Sequence, residues 1–396
     1  MKILVSSLVD LQKSAHNSRL HQFLNYLSQN HEVTVISIND WWKPKWDNSS
    51  EYNKSFLEIF QKIQFCYLTE KKISPLLQET VLPLFSKNLQ NKLNFSDFDV
   101  HFNYNGFFLG YKISQIVDAY NILSVYDIAD DLPEMIGLSP QIPKILRPFG
   151  KRLGKNIMYR NVNIAEKVTI TTESIRNTYH LPKNKTILVP NGVDAKLFSP
   201  SDGIKLREKY NIENDFIIGF IGVLREWIDF NPLFSTIKKL DHTLNIKLLI
   251  VGGGNGYDET VKLVYRYKIQ DKVIFTGTIP YIQVPEYISC MDVCIIPFKQ
   301  DKVADNSLPL KLFEYMACEK PVITTPIDAI KKNFLRDVKF ASDSNDYEEK
   351  ILELYNDENA RRELGSNGRK IVLEKYDWLN ITQNLERILE EAISKV

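Results

Sequence analysis

"FIIGFIGVLREWIDFNPLFSTIKKLDHTLNIKLLIVGGGNGYDE", residues 216–259, decides the fold. A β-branched and aromatic apolar run, FIIGFIG, is too short for a helix and carries no polar alternation. It therefore reads as a strand buried on both faces. Asn231–Leu240 follows with helical spacing of its apolar residues, then a second apolar run, IKLLIVG (246–252), closing on a cluster of glycines. Strand, helix, strand in this order is a right-handed βαβ unit of a parallel sheet.

The same unit recurs outward in both directions. KILVSS (2–7), EVTVISI (32–38), IQFCYL (63–68), DVHFNYN (99–105), ILSVYDI (122–128), KVTITT (167–172) and TILVP (186–190) form one set of strand candidates. FIIGFIG, IKLLIVG, KVIFTG (272–277), DVCIIPF (292–298), PVITT (321–325) and VKFAS (338–342) form a second, with helical stretches between them, among them 19–29, 258–268 and 346–356. The richest collection of turn residues, NGVDAKLFSPSDG at 191–203, lies between the sets and reads as a linker. Two doubly wound α/β domains follow, and in such sheets ligands bind beyond the strand C-termini. At 396 residues the chain is long enough for both cores.

Composition excludes some partners. Hydrophobic residues at 44%, charged residues at 25% and a net charge of +1 describe a soluble globular protein with no global pull toward nucleic acid. The charge is uneven, since residues 1–190 hold 22 Lys and Arg against 17 Asp and Glu, and the remainder 28 against 32. Cys66, Cys290, Cys294 and Cys318 sit in apolar contexts without a CxxC pair, and MKILVSS reads as a strand and not as a leader. A reducing cytosolic compartment and buried thiols are the expectation, and no zinc site.

Three loops after the second set of strands carry candidate chemistry. VLREWIDF places Arg225 just past a strand-end glycine, where its donor fork either meets a diphosphate or pairs with Glu226. Gly252, Gly253, Gly254 and Gly256 let backbone approach a ligand, or simply make a tight turn. In DNSLPLKLFEYMACEKPVITT (305–325) a helix is expected from about Asn306 or Ser307, with Pro309 in its first turn and free amides offered to phosphate. Glu314 then lies about 10 Å along that helix, at 1.5 Å per residue, the distance from a diphosphate to its ribose diol. Lys311 and Glu314, three apart, also read as a solvated ion pair on an otherwise apolar helix.

Taken in order, VPNGVD (189–194), the GGG turn (252–254), GTIPYIQVPEYISCMDVCIIPF (277–298) and KLFEYMACEKPVITT (311–325) resemble the family-4 type of retaining glycosyltransferase with the GT-B fold. That resemblance implies two Rossmann-like domains facing a cleft. Residues 1–195 would hold the acceptor, with a C-terminal helix at about 377–396 packing back on them, and 196–376 the nucleotide sugar. It implies a nucleotide-sugar donor as substrate, no cofactor and no metal. Arg225, Gly253, Ser307, Leu308, Lys311 and Glu314 would bind the donor nucleotide, Glu314 through the ribose hydroxyls.

Two departures from the family stand out. The family often carries two glutamates with seven residues between them, and Asn306 occupies the first position, toward the transferred sugar. The usual lysine after the first strand of this domain is replaced in the region of Trp227 and Ile228, leaving Lys302 and Lys311 as cations that can take its place. In the front half, Asp10, His16 and Arg19 follow the first strand and are candidates for the acceptor side, each also an ordinary helix-end or surface residue. Asp127 and Asp130 end the strand ILSVYDIADD, where the family places groups facing the sugar, and with Asn306 make up the expected catalytic set.

Residues 139–165 hold Lys144, Arg147, Lys151, Arg152, Lys155 and Arg160 with no acid, interleaved with apolar residues. This is either a solvated face or a seat for anionic lipid at the inner face of the cell membrane. A glycan or lipid-linked acceptor, as in cell-envelope polysaccharide synthesis, fits the latter. Nucleic acid is not expected, because aromatic stacking platforms are missing from the segment. A sugar-nucleotide epimerase and a non-catalytic sugar-nucleotide binder are the alternatives to transfer.

Overall fold

The computed structural model describes residues 1–13, 18–42, 57–80, 89–139, 142–240 and 243–394. The chain divides into two compact units, Met1–Pro190 with Leu379–Val396, and Asn191–Trp378.

In the first unit β1 (Lys2–Ser7), β2 (Glu32–Ser37), β3 (Ile63–Tyr67), β4 (Val100–Tyr104), β5 (Ser124–Ile128), β6 (Lys167–Ile170) and β7 (Thr186–Leu188) form one sheet in the order β3-β2-β1-β4-β5-β6-β7. All its neighbours run parallel. Helices α1 (Arg19–Asn30), α2 (Leu132–Leu138) and α3 (Arg147–Ile164) are among those that cover it. In the second unit β8 (Phe216–Ile221), β9 (Ile246–Val251), β10 (Val273–Gly277), β11 (Val293–Ile296), β12 (Val322–Thr324) and β13 (Lys339–Phe340) form a sheet in the order β10-β9-β8-β11-β12-β13, again parallel throughout. Its helices include α4 (Asn231–Leu240), α5 (Tyr257–Tyr267), the single turn α6 (Lys302–Asp305) and α7 (Leu310–Ala317).

Every strand candidate read from the sequence is a strand, for a reason visible in the packing. Successive side chains of a strand point to opposite faces. Ile217 and Ile221 of β8, Leu249 and Val251 of β9, and Cys294 and Ile296 of β11 join one core layer. Phe216, Ile218, Phe220, Leu248, Ile250, Val293 and Ile295 join the other. Both faces are dry, so the runs are apolar without alternation. The four cysteines are free and buried.

The last helix, α8 (Trp378–Ile393), belongs from Leu379 onward to the first unit, where Glu386 meets His31 Nε2 at 2.6 Å. In both sheets the strand order reverses beside the first strand, between β1 and β4 and between β8 and β11. Such a reversal opens a crevice at the strand C-termini.

In the first unit that edge is closed by an internal ion pair. Arg19, at the start of α1, donates through Nε and Nη2 to Asp127 of β5 at 3.1 and 3.0 Å. It also donates to the carbonyls of Val189 and Pro190 at 2.7 and 2.6 Å. Thr169 Oγ1 adds a 2.5 Å bond to the same carboxylate, and Arg19 and Asp127 are 3% and 0% exposed. A buried pair stripped of one partner leaves an uncompensated charge. Asp127→Ala should therefore lower unfolding free energy by about 3–5 kcal/mol, read as an earlier urea midpoint of the first unit.

Candidate active site

Gly222 follows β8 with φ +141°, a region open to glycine, and its amide donates to the Val251 carbonyl at 2.9 Å. Gly252, with φ +133°, follows β9, and its amide donates to the Gly277 carbonyl at 2.8 Å. A Cβ on Gly252 would lie 2.1 Å from the Gly222 carbonyl oxygen, so the two strand ends meet backbone to backbone. Leu224 N–H donates to the Gly253 carbonyl at 2.7 Å and Gly256 N–H to the Leu224 carbonyl at 3.0 Å, extending the contact. The glycine run is a tight turn, and it packs on the loop after β8.

Helix α7 is fixed to this edge by Tyr315. Its fully buried hydroxyl accepts from Ile221 N–H at 2.8 Å and donates to the Ile221 carbonyl at 3.3 Å. Four residues earlier, one turn back along the helix, Lys311 is carried over Gly222, so that a Cβ there would stand 2.6 Å from Nζ. The ammonium lies 3.9 Å from the Phe220 ring centroid and 5.7 Å from that of Phe298. Among the described residues no carboxylate stands within ion-pair distance of it, so the pair with Glu314 read from the sequence is not formed. Burial pushes the Lys311 pKa down to about 7, against the pull of Glu314.

Glu314 is buried, and its Oε1 accepts from the Tyr281 hydroxyl at 2.9 Å. Burial pushes its carboxyl up to about 7, opposed by that hydrogen bond and by Lys311. Cation, carboxylate, glycine turn and Tyr281 thus gather where the strand order reverses in the second sheet.

Other expected donor residues are placed differently. The helix starts at Leu310, with Pro309 extended (φ −71°, ψ 140°) ahead of it and not in its first turn. A residue before proline is disfavoured in helical conformation, which holds Leu308 out of the helix. The Ser307 amide is already bonded to the Ala304 carbonyl at 2.9 Å, so Ser307 is not a free helix tip. Glu314 is correspondingly about 6 Å along α7, at 1.5 Å per residue, not 10 Å. Leu308 is buried, its carbonyl accepting from Asn191 at 3.0 Å. Asn306 is buried at the C-terminal end of α6, whose first turn Asp301 caps through Ala304 N–H at 3.0 Å. Arg225 is exposed, with its guanidinium 5.8 Å from the Trp227 ring centroid. Glu226 offers its carbonyl to Lys299, and no Arg225–Glu226 ion pair is present among the described residues. Lys302 is exposed on α6.

In the first unit the Asp127 carboxylate is engaged by Arg19 and Thr169, and the Arg19 guanidinium by Asp127 and two backbone carbonyls. Asp10 is 1% exposed and accepts from Asp40 N–H at 3.0 Å and the Tyr67 hydroxyl at 3.1 Å, with Lys13 at 3.2 Å. Its role there is to hold the loop after β1. Asp130 is exposed at the end of β5, with the Asn105 amide at 3.4 Å. Asp131 caps α2 through Glu134 N–H at 3.1 Å. His16 lies outside the described residues. Among the described residues no cluster of three or more His, Cys, Asp or Glu is placed to hold a metal ion.

Tyr281, Phe220 and Gly222 were not singled out in the sequence. Tyr281 sits in the turn after β10, with no periodicity tying it to α7. Phe220 reads as core, and Gly222 as the end of a strand.

Two parallel α/β sheets, each reversing its strand order beside its first strand, are the architecture of the GT-B fold. Residues 202–371, most of the second unit, match the model of the family glycosyl transferases group 1. The chain is 28% identical over 238 residues to the capsular polysaccharide biosynthesis glycosyltransferase CapM of Staphylococcus aureus, covering 56% of this chain and 60% of that one. It is 25% identical over 249 residues to N-acetyl-alpha-D-glucosaminyl L-malate synthase of Bacillus anthracis, covering 60% and 63%. The matches span about half to three-fifths of the curated relatives' length. Anabaena HepE, solved in complex with UDP, superposes with a TM-score of 0.75 at 18% identity over 99% of this chain and 100% of its own. Sucrose-phosphate synthase from Thermosynechococcus elongatus gives 0.75 at 18% identity over 100% of both. These likenesses establish the GT-B fold.

The shifted pKa values have a consequence for stability. Between about pH 7 and the ordinary lysine value of 10.5 the unfolded chain holds the Lys311 proton and the folded one does not, so stability rises with pH. Between 4.5 and about 7 the folded chain keeps the Glu314 proton and the unfolded one loses it, so stability falls as pH rises. The pair is least favourable near neutrality. Glu314→Gln, which keeps an acceptor for Tyr281, should flatten the decline between pH 5 and 7. It should also raise the ligand-free melting temperature at neutral pH by about 2–4 °C, measured by calorimetry.

Proposed function

We propose that this protein is a glycosyltransferase that moves a sugar from a nucleoside-diphosphate sugar to a glycan or lipid-linked acceptor in envelope polysaccharide or glycolipid synthesis. The observation that carries the reading is Lys311: a side chain without a carboxylate partner among the described residues, held over the backbone of Gly222 one turn from a buried carboxylate. A diphosphate supplies the missing countercharge, and a ribose diol supplies donors for Glu314. The group 1 domain at 202–371, the relatives named as polysaccharide glycosyltransferases, and the GT-B neighbour solved with UDP-glucose support this reading.

In the reaction we assign, the bond from the sugar's anomeric carbon to the diphosphate oxygen breaks while the acceptor oxygen bonds to the same face. The acceptor proton passes to the departing diphosphate, and configuration is retained. Negative charge grows on the leaving group, so a preplaced ammonium stabilises the transition state more than the ground state. Arg225, exposed on the same loop as Gly222, is a second cation for that charge, and Asn306 faces the sugar as a hydrogen-bonding amide. We assign the acceptor to the first unit, with Asp130 its exposed carboxylate. Transfer is assigned to amides and cations without a metal ion, and the nucleotide sugar is a substrate, not a cofactor.

Thermal unfolding with UDP, GDP, ADP and dTDP in turn tests the donor site. A ligand at a hundred times its dissociation constant stabilises by about 2.7 kcal/mol. One nucleotide should raise the melting temperature of the native chain, and Glu314→Ala and Lys311→Ala should each abolish most of that rise. If none of the four shifts it, the reading fails. Transfer that survives EDTA agrees with the metal-free assignment, whereas loss on EDTA restored by magnesium overturns it.

A further inference from the structure

The basic segment noted in the sequence is an exposed corner of the first unit. It runs from α2 through a 3-10 turn, Lys144–Leu146, into α3. Gly150 and Gly154 of α3 let α2 approach closely, a Cβ at either standing 3.1 or 3.0 Å from Ile136. The glycines are packing positions, and α3 runs unbroken for 18 residues.

What this packing leaves outside is apolar. Ile145 is 87% exposed, Phe149 70%, Leu146 53%, Leu138 50% and Met135 37%. Single exposed hydrophobes are ordinary on a protein surface, but Ile145, Leu146 and Phe149 fall within about one helical turn of each other. From Met135 to Ala165 the sequence holds six cations and no acid.

Four of those cations are engaged. Lys151 pairs with Glu134 at 2.6 Å, and Arg147 Nε donates to the Ile142 carbonyl at 3.0 Å. Lys155 and Arg160 lie over tyrosine rings. Lys144 and Arg152 make no ion pair among the described residues and are exposed beside the apolar side chains.

This charge pattern selects the occupant. A second copy would bring like charge against like, and lysine is depleted from stable protein interfaces. An anionic lipid surface offers acyl chains to the hydrophobes and phosphates to the cations, each worth about 1 kcal/mol near the surface. Among the described residues no helix is long and apolar enough to cross a membrane, so the contact is shallow.

We propose that this corner seats the protein on an anionic lipid bilayer, with Ile145, Leu146 and Phe149 entering the acyl boundary and Lys144 and Arg152 meeting lipid phosphates. The assignment rests on the first unit alone and does not depend on the donor site. For a transferase it would bring a lipid-linked acceptor within reach.

The test is sedimentation of the full chain with vesicles of phosphatidylcholine alone or enriched in phosphatidylglycerol. Binding to the anionic vesicles only, weakening with added salt, is expected. The double variant Ile145→Ser/Phe149→Ser should lose at least about tenfold in partition. Lys144→Glu/Arg152→Glu should lose its preference for phosphatidylglycerol. Unchanged melting temperatures show that both variants are folded, and the nucleotide-induced melting shift reports separately on the second unit. Absence of the native chain from both vesicle types overturns the proposal, as does native-like binding by both variants. A native dimer that Ile145→Ser/Phe149→Ser converts to monomer overturns it in favour of a second copy.

Discussion

The second unit depends on one close approach, the Gly252 backbone against the carbonyl of Gly222. Both residues take positive φ, and a side chain at Gly252 would collide with main chain, which cannot swing away. This lets the loops after β8 and β9 lie against each other at the sheet's C-terminal edge. It also leaves a floor without side chains beneath Lys311. Tyr315 sets the height of the lysine above that floor by gripping both backbone groups of Ile221, the residue immediately before Gly222. Position of the cation, approach of the loops and registry of α7 are therefore one constraint.

Holding that cation works against folding. Lys311 and Glu314 are each shifted toward neutrality by burial, and their mutual attraction only partly offsets it. A structure selected for stability alone would place a well-packed apolar pair here, since buried charges often contribute less than the hydrophobic residues that can replace them. The aromatic face of Phe220 softens the penalty on the ammonium without neutralising it. An unfavourable arrangement that the surrounding core enforces is what a preorganised binding site requires, and under the proposed function the diphosphate completes the electrostatics.

The strands were legible because a parallel sheet covered on both faces needs unbroken apolar runs, and little else in a soluble chain produces them. That Glu314 lies on a helix was legible through KLFEYMA, but its burial and its bond to Tyr281, from a turn after another strand, were not. The start of α7 was not read correctly, because Pro309 is tolerated in a first helical turn as well as before it. Its actual conformation depends on how α6 and buried Leu308 end the preceding loop. Asp127 looked like a strand-end catalytic acid. Its partner Arg19 is 108 positions away, a separation no local pattern reports. Gly150 and Gly154 are the surface on which α2 packs, and nothing local in the sequence announces it. Periodicity exposes which face of an element is buried, but not which element buries it.

The two sheets share a strand order and a reversal beside the first strand, so topology alone does not say which of them binds an anionic ligand. Charge satisfaction separates them. In the first unit the arginine at the head of α1 is met by Asp127, two carbonyls and the support of Thr169, and the edge is complete without a ligand. In the second unit Lys311 rests on glycine backbone and an aromatic ring, and among the described residues no carboxylate pairs with it, Glu314 being hydrogen-bonded to Tyr281. A site that has neutralised itself gains little from a diphosphate, whereas one in which burial opposes the ammonium gains a charge-assisted contact when an anion restores the charged form. The asymmetry between two nearly equivalent folds therefore lies in a few side chains, and it is the reason the proposed nucleotide site is in the second unit.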